Sequence, residues 1–234
     1  VIERQSHNLT RMVEDLLDVT RVSSGKFVLR REPLDVNAIV SRVTQACAPR
    51  ARENMQDLRV ELSPTPAVVD GDAVRLEQVV ANLLHNAIKY TPDGGRVHVA
   101  VRVDGPRVDV RVTDDGIGID ASMLPRIFDL FTQVPVTLDR AQGGLGLGLP
   151  LVRRIVELHG GEVRATSPGP GRGTTLEVAL PRVLGEPLAE PAAVVGDERA
   201  IDVHRRRLVV IEENPGIREC MAELLCACGY EFRQ

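Results

Sequence analysis

Aromatic side chains are scarce in this chain: they make up 3% of the 234 residues, and tryptophan is absent. Proteins that bind single-stranded nucleic acid stack bases on aromatic rings, so this scarcity argues against such a function. Basic residues are not in surplus either, because 33 Asp and Glu outnumber 29 Lys and Arg. A net charge of −4 offers no general means of displacing counterions from nucleic-acid phosphates. We therefore expect an aliphatic core and no nucleic-acid partner.

The sequence also lacks cysteines at the spacing of a zinc site, and it lacks long apolar runs. The four cysteines are scattered, at Cys47, Cys220, Cys226 and Cys228. We expect them to be reduced packing residues of a cytosolic protein, since no signal peptide precedes them. No apolar stretch reaches the roughly 20 residues that cross a bilayer. The expectation is a cytoplasmic chain with no membrane segment, which leaves open an anchor upstream in the parent protein.

The segment from Leu76 to Tyr90 carries two stripes of side chains at helical spacing. One stripe is apolar and predicts a face packed on a core: Leu76, Val79, Val80, Leu83, Leu84 and Ala87. The adjoining stripe is polar: Gln78, Asn82, His85, Asn86 and Lys89. Asparagine is a mediocre helix former, so two of them one turn apart indicate either a polar wall facing a polyanion or metal, or an ordinary solvated face.

Two glycine motifs follow this helix. In DDGIGI, Asp114 to Ile119, the glycines permit positive φ and close backbone approach beside a carboxylate, although ordinary tight turns share the pattern. In the second motif, from Gly143 to Gly161, a glycine loop leads into a helix whose Pro150 suits a first turn. Such a helix start presents free N–H groups that bind phosphate. Between the motifs, the polar residues 132–142 predict either a mobile lid or a surface loop.

The remaining periodicities predict an α/β fold, a two-layer α/β sandwich with a mixed sheet covered on one face by helices. Asp35 caps a helix that runs to about Glu53. The strongest hairpin signal is the strict alternation of valine around Asp104-Gly105-Pro106. Further strands are predicted at 58–62, 67–70, 162–166 and 174–180, and the KFVLR segment at 26–30 reads as a strand or an extended link.

The chain divides into four predicted parts. Residues 1–25 form an amphipathic helix without an N-terminal cap, as though cut inside a longer element. Residues 26–182 form the main domain, and residues 183–204, rich in Pro, Ala and acid, form a linker. Residues 205–234 open a β-α-β unit that is too short to bury its own core. We expect the chain to be truncated at both ends.

Four motifs, taken in their order along the chain, resemble those of a known protein family. The asparagine helix, DDGIGI, IFDLF (127–131) and GGLGLGL, spread over residues 72–161, resemble the catalytic ATP-binding domain of sensor histidine kinases, in the superfamily shared with gyrase, Hsp90 chaperones and MutL. Residues 12–27 resemble the second helix of the dimerisation hairpin, and residues 167–181 the last strands of the domain. Residues from Arg207 onward resemble the opening of a receiver domain, as in hybrid kinases.

The resemblance implies roles for individual residues. Asp114 would accept the adenine amino group, which suits a carboxylate because guanine presents a carbonyl there. Asn86 would bind the Mg²⁺ that bridges the phosphates, with Asn82 lining that site. Lys89 and Tyr90 would contact phosphate and ribose or base, so Asn82, Asn86 and Lys89 are the catalytic candidates. The remaining candidates line the base or hold the phosphate tail: Gly116, Gly118, Ile119 and Thr175 for the base, and Gly144, Leu145, Gly146, Leu147 and Gly148 for the phosphates.

Two departures from the family pattern limit what the chain is expected to do. The acceptor histidine of these kinases sits in a His-Glu/Asp motif followed by proline, whereas His7 is followed by Asn8 and no proline follows. Receiver domains carry an acidic pair with at least one Asp where Glu212 and Glu213 stand, and their phospho-accepting Asp would lie beyond Gln234. We expect no functional receiver and no autophosphorylation by this chain alone.

The sequence therefore predicts the ATP-binding module of a hybrid sensor histidine kinase, a protein histidine kinase that uses ATP and Mg²⁺. Its partners would be the dimerisation hairpin of a second kinase chain, as a homodimer in the parent, and a receiver domain in cis or a response regulator. Two alternatives stay open: an ATP hydrolase of the same superfamily and a non-catalytic nucleotide-sensing or docking module. Hydrolases of the superfamily carry a Glu, as water-activating base, where Asn82 stands, and an amide cannot take up that proton.

Overall fold

The computed structural model describes residues 28–132 and 146–183, and all of them lie in one compact unit. This part contains three α-helices, α1 (Val36–Glu53), α2 (Ala73–Tyr90) and α3 (Gly148–Leu158). Its strands are β1 (Glu32–Asp35), β2 (Asp57–Glu61), β3 (Val68–Gly71), β4 (Arg96–Asp104), β5 (Arg107–Asp114), β6 (Glu162–Thr166) and β7 (Thr174–Pro181). The predicted helix at 1–25, the linker and the receiver-like segment lie outside the described residues.

The main sheet has five strands in the order β2-β4-β5-β7-β6. β2 pairs parallel with β4, and the other pairs are antiparallel, so the sheet is mixed as predicted. The β4–β5 hairpin turns over Gly105 and Pro106, with Asp104 opposite Arg107. Since side chains alternate along a strand, the valines of this hairpin all point to one face.

The three helices pack on that face. The core between the layers is almost wholly aliphatic, which agrees with the scarcity of aromatic residues. Its most deeply buried side chains include Leu83, Leu84, Val97, Val99, Leu151 and Ile155. The opposite face of the sheet carries charged residues in pairs, such as Arg111 with Glu177 at 2.9 Å and Arg107 with Glu162 at 2.9 Å. The two-layer sandwich predicted from the sequence is confirmed.

A second, two-stranded sheet was not predicted. β1 pairs antiparallel with β3, with Pro33 opposite Asp70. Of the two readings of KFVLR, the strand does not hold for residues 28–30, which lie in a link, and the strand begins at Glu32. Pattern reasoning missed it because the segment is polar and contains a proline, which sheets tolerate only at edges.

The predicted lid and part of the second glycine motif lie outside the described residues. Most of the predicted lid, along with Gly144 and Leu145, falls in residues 133–145. Among the helices of the described part, none is long and apolar enough to cross a membrane.

Candidate functional site

Asp114 ends β5, and its carboxylate is held on one side only. The amide N–H groups of Gly116 and Thr174 donate to Oδ1 at 2.9 and 3.2 Å. Within residues 28–132 and 146–183, no hydrogen bond reaches Oδ2. Burial raises the pKa of Asp114 to about 6, even though the two N–H donors act in the opposite direction. One carboxylate oxygen is therefore left to accept a hydrogen bond from a ligand.

The turn after Asp114 is fixed by backbone contacts. The N–H of Ile117 donates to the carbonyl of Tyr90, the last residue of α2, at 3.1 Å. A Cβ at Gly116 would lie 2.4 Å from that same carbonyl oxygen. Gly118 has φ of 66°, and a Cβ there would lie 2.1 Å from the carbonyl oxygen of Gly169. Both glycines are required by close packing, which the sequence motif alone does not distinguish from an ordinary turn.

The loop before β7 packs against this turn, and sequence reasoning assigned it no site residue. The hydroxyl of Ser167 donates to the carbonyl of Gly173 at 2.7 Å and accepts the N–H of Ile119 at 3.0 Å. Gly173 has φ of 72°, and a Cβ there would lie 2.0 Å from the carbonyl oxygen of Asp114. The spacing of glycines in 169–173 was the available signal, but it reads equally well as a flexible turn.

Thr175 is not brought to the Asp114 carboxylate. The β5–β7 register pairs Asp114 with Thr174 and Thr113 with Thr175. Paired residues share a face and neighbours alternate, so Thr175 lies on the face opposite to Asp114. Its hydroxyl is 3.1 Å from that of Thr113. Thr174 is the threonine that shares a face with Asp114, and the assignment of Thr175 to the base pocket stays a prediction.

The polar stripe of α2 lies beside the start of α3. A Cβ at Gly148 would lie 3.5 Å from Oδ1 of Asn82, so the first residue of α3 stands close to that carboxamide. The Nδ2 of Asn82 is buried and has no hydrogen-bond partner in the described part of the chain. Asn86 is half-buried, and no hydrogen bond of its side chain occurs in the same described residues. A buried, unpaired amide donor costs about 1–3 kcal/mol and suits an anionic ligand.

The first turn of α3 has no side-chain cap, because Leu147 stands at the N-cap position and is 1% exposed. Helix starts without such a cap leave N–H groups unpaired and carry the positive end of the helix dipole. Gly146, just before it, has φ of 69°, and its carbonyl accepts the N–H of Phe131 at 3.2 Å. Gly146, Leu147 and Gly148 therefore bring an electropositive edge to Asn82.

Lys89 and Tyr90 end α2 as a pair. The Nζ of Lys89 lies 3.3 Å from the Tyr90 hydroxyl and 4.8 Å from the centroid of its ring. Both side chains are half-buried. Gln56, which sequence reasoning did not single out, donates to the carbonyls of Ile88 and Thr91 at 2.9 and 2.8 Å. It thereby holds the C-terminal end of α2 in place.

No cluster of three His, Cys, Asp or Glu side chains that could hold a metal occurs in the described ranges. The oxygen donors near Asn82 are neutral carboxamides. Mg²⁺ commonly takes one or two protein oxygens and completes its shell with phosphate oxygens and water. This donor set suits a magnesium ion that arrives with a polyphosphate.

A domain model described as histidine kinase-, DNA gyrase B-, and HSP90-like ATPase matches residues 71–184. The solved structure of the mycobacterial sensor histidine kinase MprB is 31% identical and superposes with a TM-score of 0.56, covering 66% of this chain and 99% of that one. The chain belongs to this ATPase family. It carries the ATP-binding catalytic domain of histidine kinases.

Longer relatives show the same likeness. The circadian input-output histidine kinase CikA of Synechococcus elongatus is 31% identical over 233 residues, which cover 98% of this chain and 30% of that protein. The crystal structure of full-length ShkA in complex with AMPPNP is 28% identical, with a TM-score of 0.67, covering 97% of this chain and 46% of that one. The chain thus spans about a third of the curated relative that it matches along nearly its whole length.

Proposed function

We propose that this domain binds Mg-ATP with the adenine on Asp114 and the phosphate groups between α2 and α3. The observation that carries this proposal is the half-used Asp114 carboxylate, whose Oδ1 takes two backbone N–H groups while Oδ2 takes none from the described residues. The exocyclic amine of adenine donates to Oδ2. Guanine presents a carbonyl oxygen at that position, so two acceptors, this oxygen and Oδ2, would face each other. The missing hydrogen bond would weaken guanine binding by about 1–3 kcal/mol.

The phosphate groups lie where the unpaired donors are. The buried Nδ2 of Asn82 and the uncapped first turn of α3 donate to phosphate oxygens, and Lys89 adds a positive charge. Asn86 would hold Mg²⁺ through its amide oxygen. The ion neutralises phosphate charge when it is bound. In the base pocket, Gly116, Gly118 and Ile119 shape the wall, and Thr174 takes the place assigned to Thr175.

The reaction is transfer of the γ-phosphoryl group to histidine in an intact kinase. Phosphoryl transfer asks a protein mainly for alignment and charge neutralisation, which amides, Mg²⁺ and a lysine supply. Hydrolysis needs a base for water, and the carboxamide of Asn82 cannot act as one. The accepting histidine lies outside this chain, on a dimerisation hairpin, and a receiver domain or response regulator takes the phosphoryl group next. We place this chemistry in the cytoplasm.

Calorimetry with Asp114→Asn tests the adenine assignment. The Asn carbonyl retains the two backbone N–H groups, so its amide group turns toward the adenine amine, donor against donor. We expect affinity for ATP and for adenosine to fall by about tenfold to a hundredfold. The matched control is Asp115→Asn, because Asp115 is an exposed neighbour paired with Arg96 at 3.0 Å. Unchanged ATP binding by Asp114→Asn would remove the assignment.

Labelled ATP tests the acceptor assignment. The chain alone is incubated with γ-labelled ATP, and acid-labile phosphate is measured with and without a separate hairpin that carries a His-Glu motif. We expect label only on the added hairpin. Label on His7 would contradict the proposal.

A further inference from the structure

His159, just after α3, is the most deeply buried titratable side chain that the proposed chemistry does not use, with 4% of its surface exposed. Its Nε2 accepts the backbone N–H of Asp72 at 3.0 Å, and its Nδ1 lies 2.8 Å from the carbonyl oxygen of Ile155. An Nε2 that accepts carries no proton, so Nδ1 holds the proton and donates to Ile155. Burial also lowers the pKa of His159, which keeps the ring neutral at physiological pH.

Each hydrogen-bond partner of the imidazole lies at one end of a helix. Asp72 is the N-cap of α2, where its Oδ1 accepts the N–H of Arg75 at 3.2 Å. Ile155 belongs to the last turn of α3. His159 therefore ties the end of α3 to the beginning of α2. Gly71 packs closely against both helices, because a Cβ there would lie 2.7 Å from Cδ1 of Leu76 in α2 and 3.0 Å from Cδ2 of the His159 ring.

The two helices also meet at a second place, where Gly148 stands beside Asn82. Asp72 and Asn82 are ten residues apart, about 15 Å along a helix, while Gly148 and His159 are eleven residues apart, about 16 Å. The helices thus run antiparallel with matching spans between the two contacts. A shift of α3 along α2 at the His159 end would move Gly148 past Asn82 by the same amount.

We propose that His159 is a positioning residue that sets where the start of α3 lies relative to Asn82. It thereby determines how tightly the site binds the phosphate groups. This inference rests on the proposed function. None of the contacts described above around Asp114 involves a residue of α3, so the adenine end depends on His159 much less. The signature is therefore a change in the preference for ATP over adenosine, which a general loss of stability would not produce.

Calorimetry of three variants tests this signature. His159→Leu removes both hydrogen bonds, and we expect Mg-ATP affinity to fall by about tenfold while adenosine affinity stays within about twofold. In His159→Gln, the side-chain oxygen can take the place of Nε2, so most of the preference should return. Gly71→Ala crowds the ring, and also Leu76 of α2 beside it, without removing the two hydrogen bonds, so it should shift the preference in the same direction by less. It carries the test together with His159→Gln if the leucine variant does not fold.

The control is His98→Leu, since His98 lies on the outer face of the sheet, 3.6 Å from Glu61. It should leave both affinities unchanged. Equal losses for ATP and adenosine in the His159 variants, or no loss in either, would overturn the positioning role. A wild-type domain that binds neither ligand would instead defeat the proposed function. Hydrogen exchange of the Asp72 amide, faster in His159→Leu, reports on the contact itself without any nucleotide.

Discussion

The proposed adenine end and the proposed phosphate end of the site are built in different ways. At the adenine end, backbone groups pair with one another, and glycines at 116, 118 and 173 pack against carbonyl oxygens with no room for a Cβ. At the phosphate end, the Nδ2 of Asn82 is buried without a partner among the described residues, and α3 begins without a side-chain cap. The first end is therefore fully packed without a ligand. The second holds unpaired donors that phosphate oxygens of a ligand can satisfy.

The largest effect should come from breaking the shape of the adenine end. Gly173→Ala forces a Cβ toward the carbonyl oxygen of Asp114 and leaves an L-residue at φ of 72°. We expect the free energy of unfolding to drop by about 3 kcal/mol or more and adenosine binding to be lost. Chemical denaturation and calorimetry measure the two effects.

Gly171→Ala is the matched control for that change. Gly171 has φ of 74°, but a Cβ there meets nothing within 4 Å. It should cost only the backbone strain, about 1 kcal/mol, with adenosine affinity retained. If both alanine variants behave alike, close packing at Gly173 is not what forms the pocket.

A smaller effect should come from removing a donor at the phosphate end. Asn82→Ala takes away the buried Nδ2, so we expect Mg-ATP affinity to fall by about tenfold to a hundredfold. Adenosine affinity should stay the same, because the nucleoside has no phosphate. Parallel titrations with both ligands check the contrast. Equal losses for the two ligands would show that the ends are not separate.

Below the pKa of Asp114, which is about 6, the affinity for adenosine should fall by about tenfold per pH unit. The amine of adenine needs the ionised carboxylate, and below that pH the free protein holds a proton there. Binding should therefore release a proton near pH 6. Adenosine is the right probe, since it has no phosphate to titrate, and calorimetry in buffers of different ionisation enthalpy counts the proton. A flat profile between pH 7.5 and 5 would contradict the assignment of the shift to Asp114.

The smallest effect concerns stability without ligand. The folded pKa of Asp114 lies above its ordinary value of 3.8, so the folded state binds more protons than the unfolded state between about pH 4 and 6. The contribution of Asp114 to the free energy of unfolding thus rises as pH falls from about 6 to 4. Above about pH 6 the carboxylate is ionised, and its burial opposes folding. We expect Asp114→Asn to be more stable than wild type by about 1 kcal/mol at pH 7.5, a gain that vanishes near pH 4. Denaturation curves at both pH values measure it.

Much of the fold was predictable because local pattern and packing agree. The apolar stripe of α2 and the alternating valines of β4 and β5 need no information beyond their own periodicity. Asp35 and Asp72 are capping residues with side chains that accept N–H groups of the first turn. In these segments the neighbouring residues alone decide the structure.

What the sequence could not provide depends on contacts between distant segments. Thr174 and Thr175 are equivalent by composition, and only the register against β5 decides which one shares a face with Asp114. Ser167, Gln56 and His159 are ordinary polar residues until the fold brings them to backbone groups 32 to 87 residues away. Their roles come from tertiary hydrogen bonds, which leave no local signature.

The parallel pairing of β2 with β4 makes α2 the crossover between them. Asp114 pairs with Val97, next to the beginning of β4, so the proposed adenine site lies at the C-terminal end of this helix. That end carries a partial negative charge, which favours cations, whereas the beginning of α3 carries a partial positive charge. In the proposed complex, the end of α2 would therefore favour the ammonium group of Lys89, and the start of α3 would favour the phosphate oxygens.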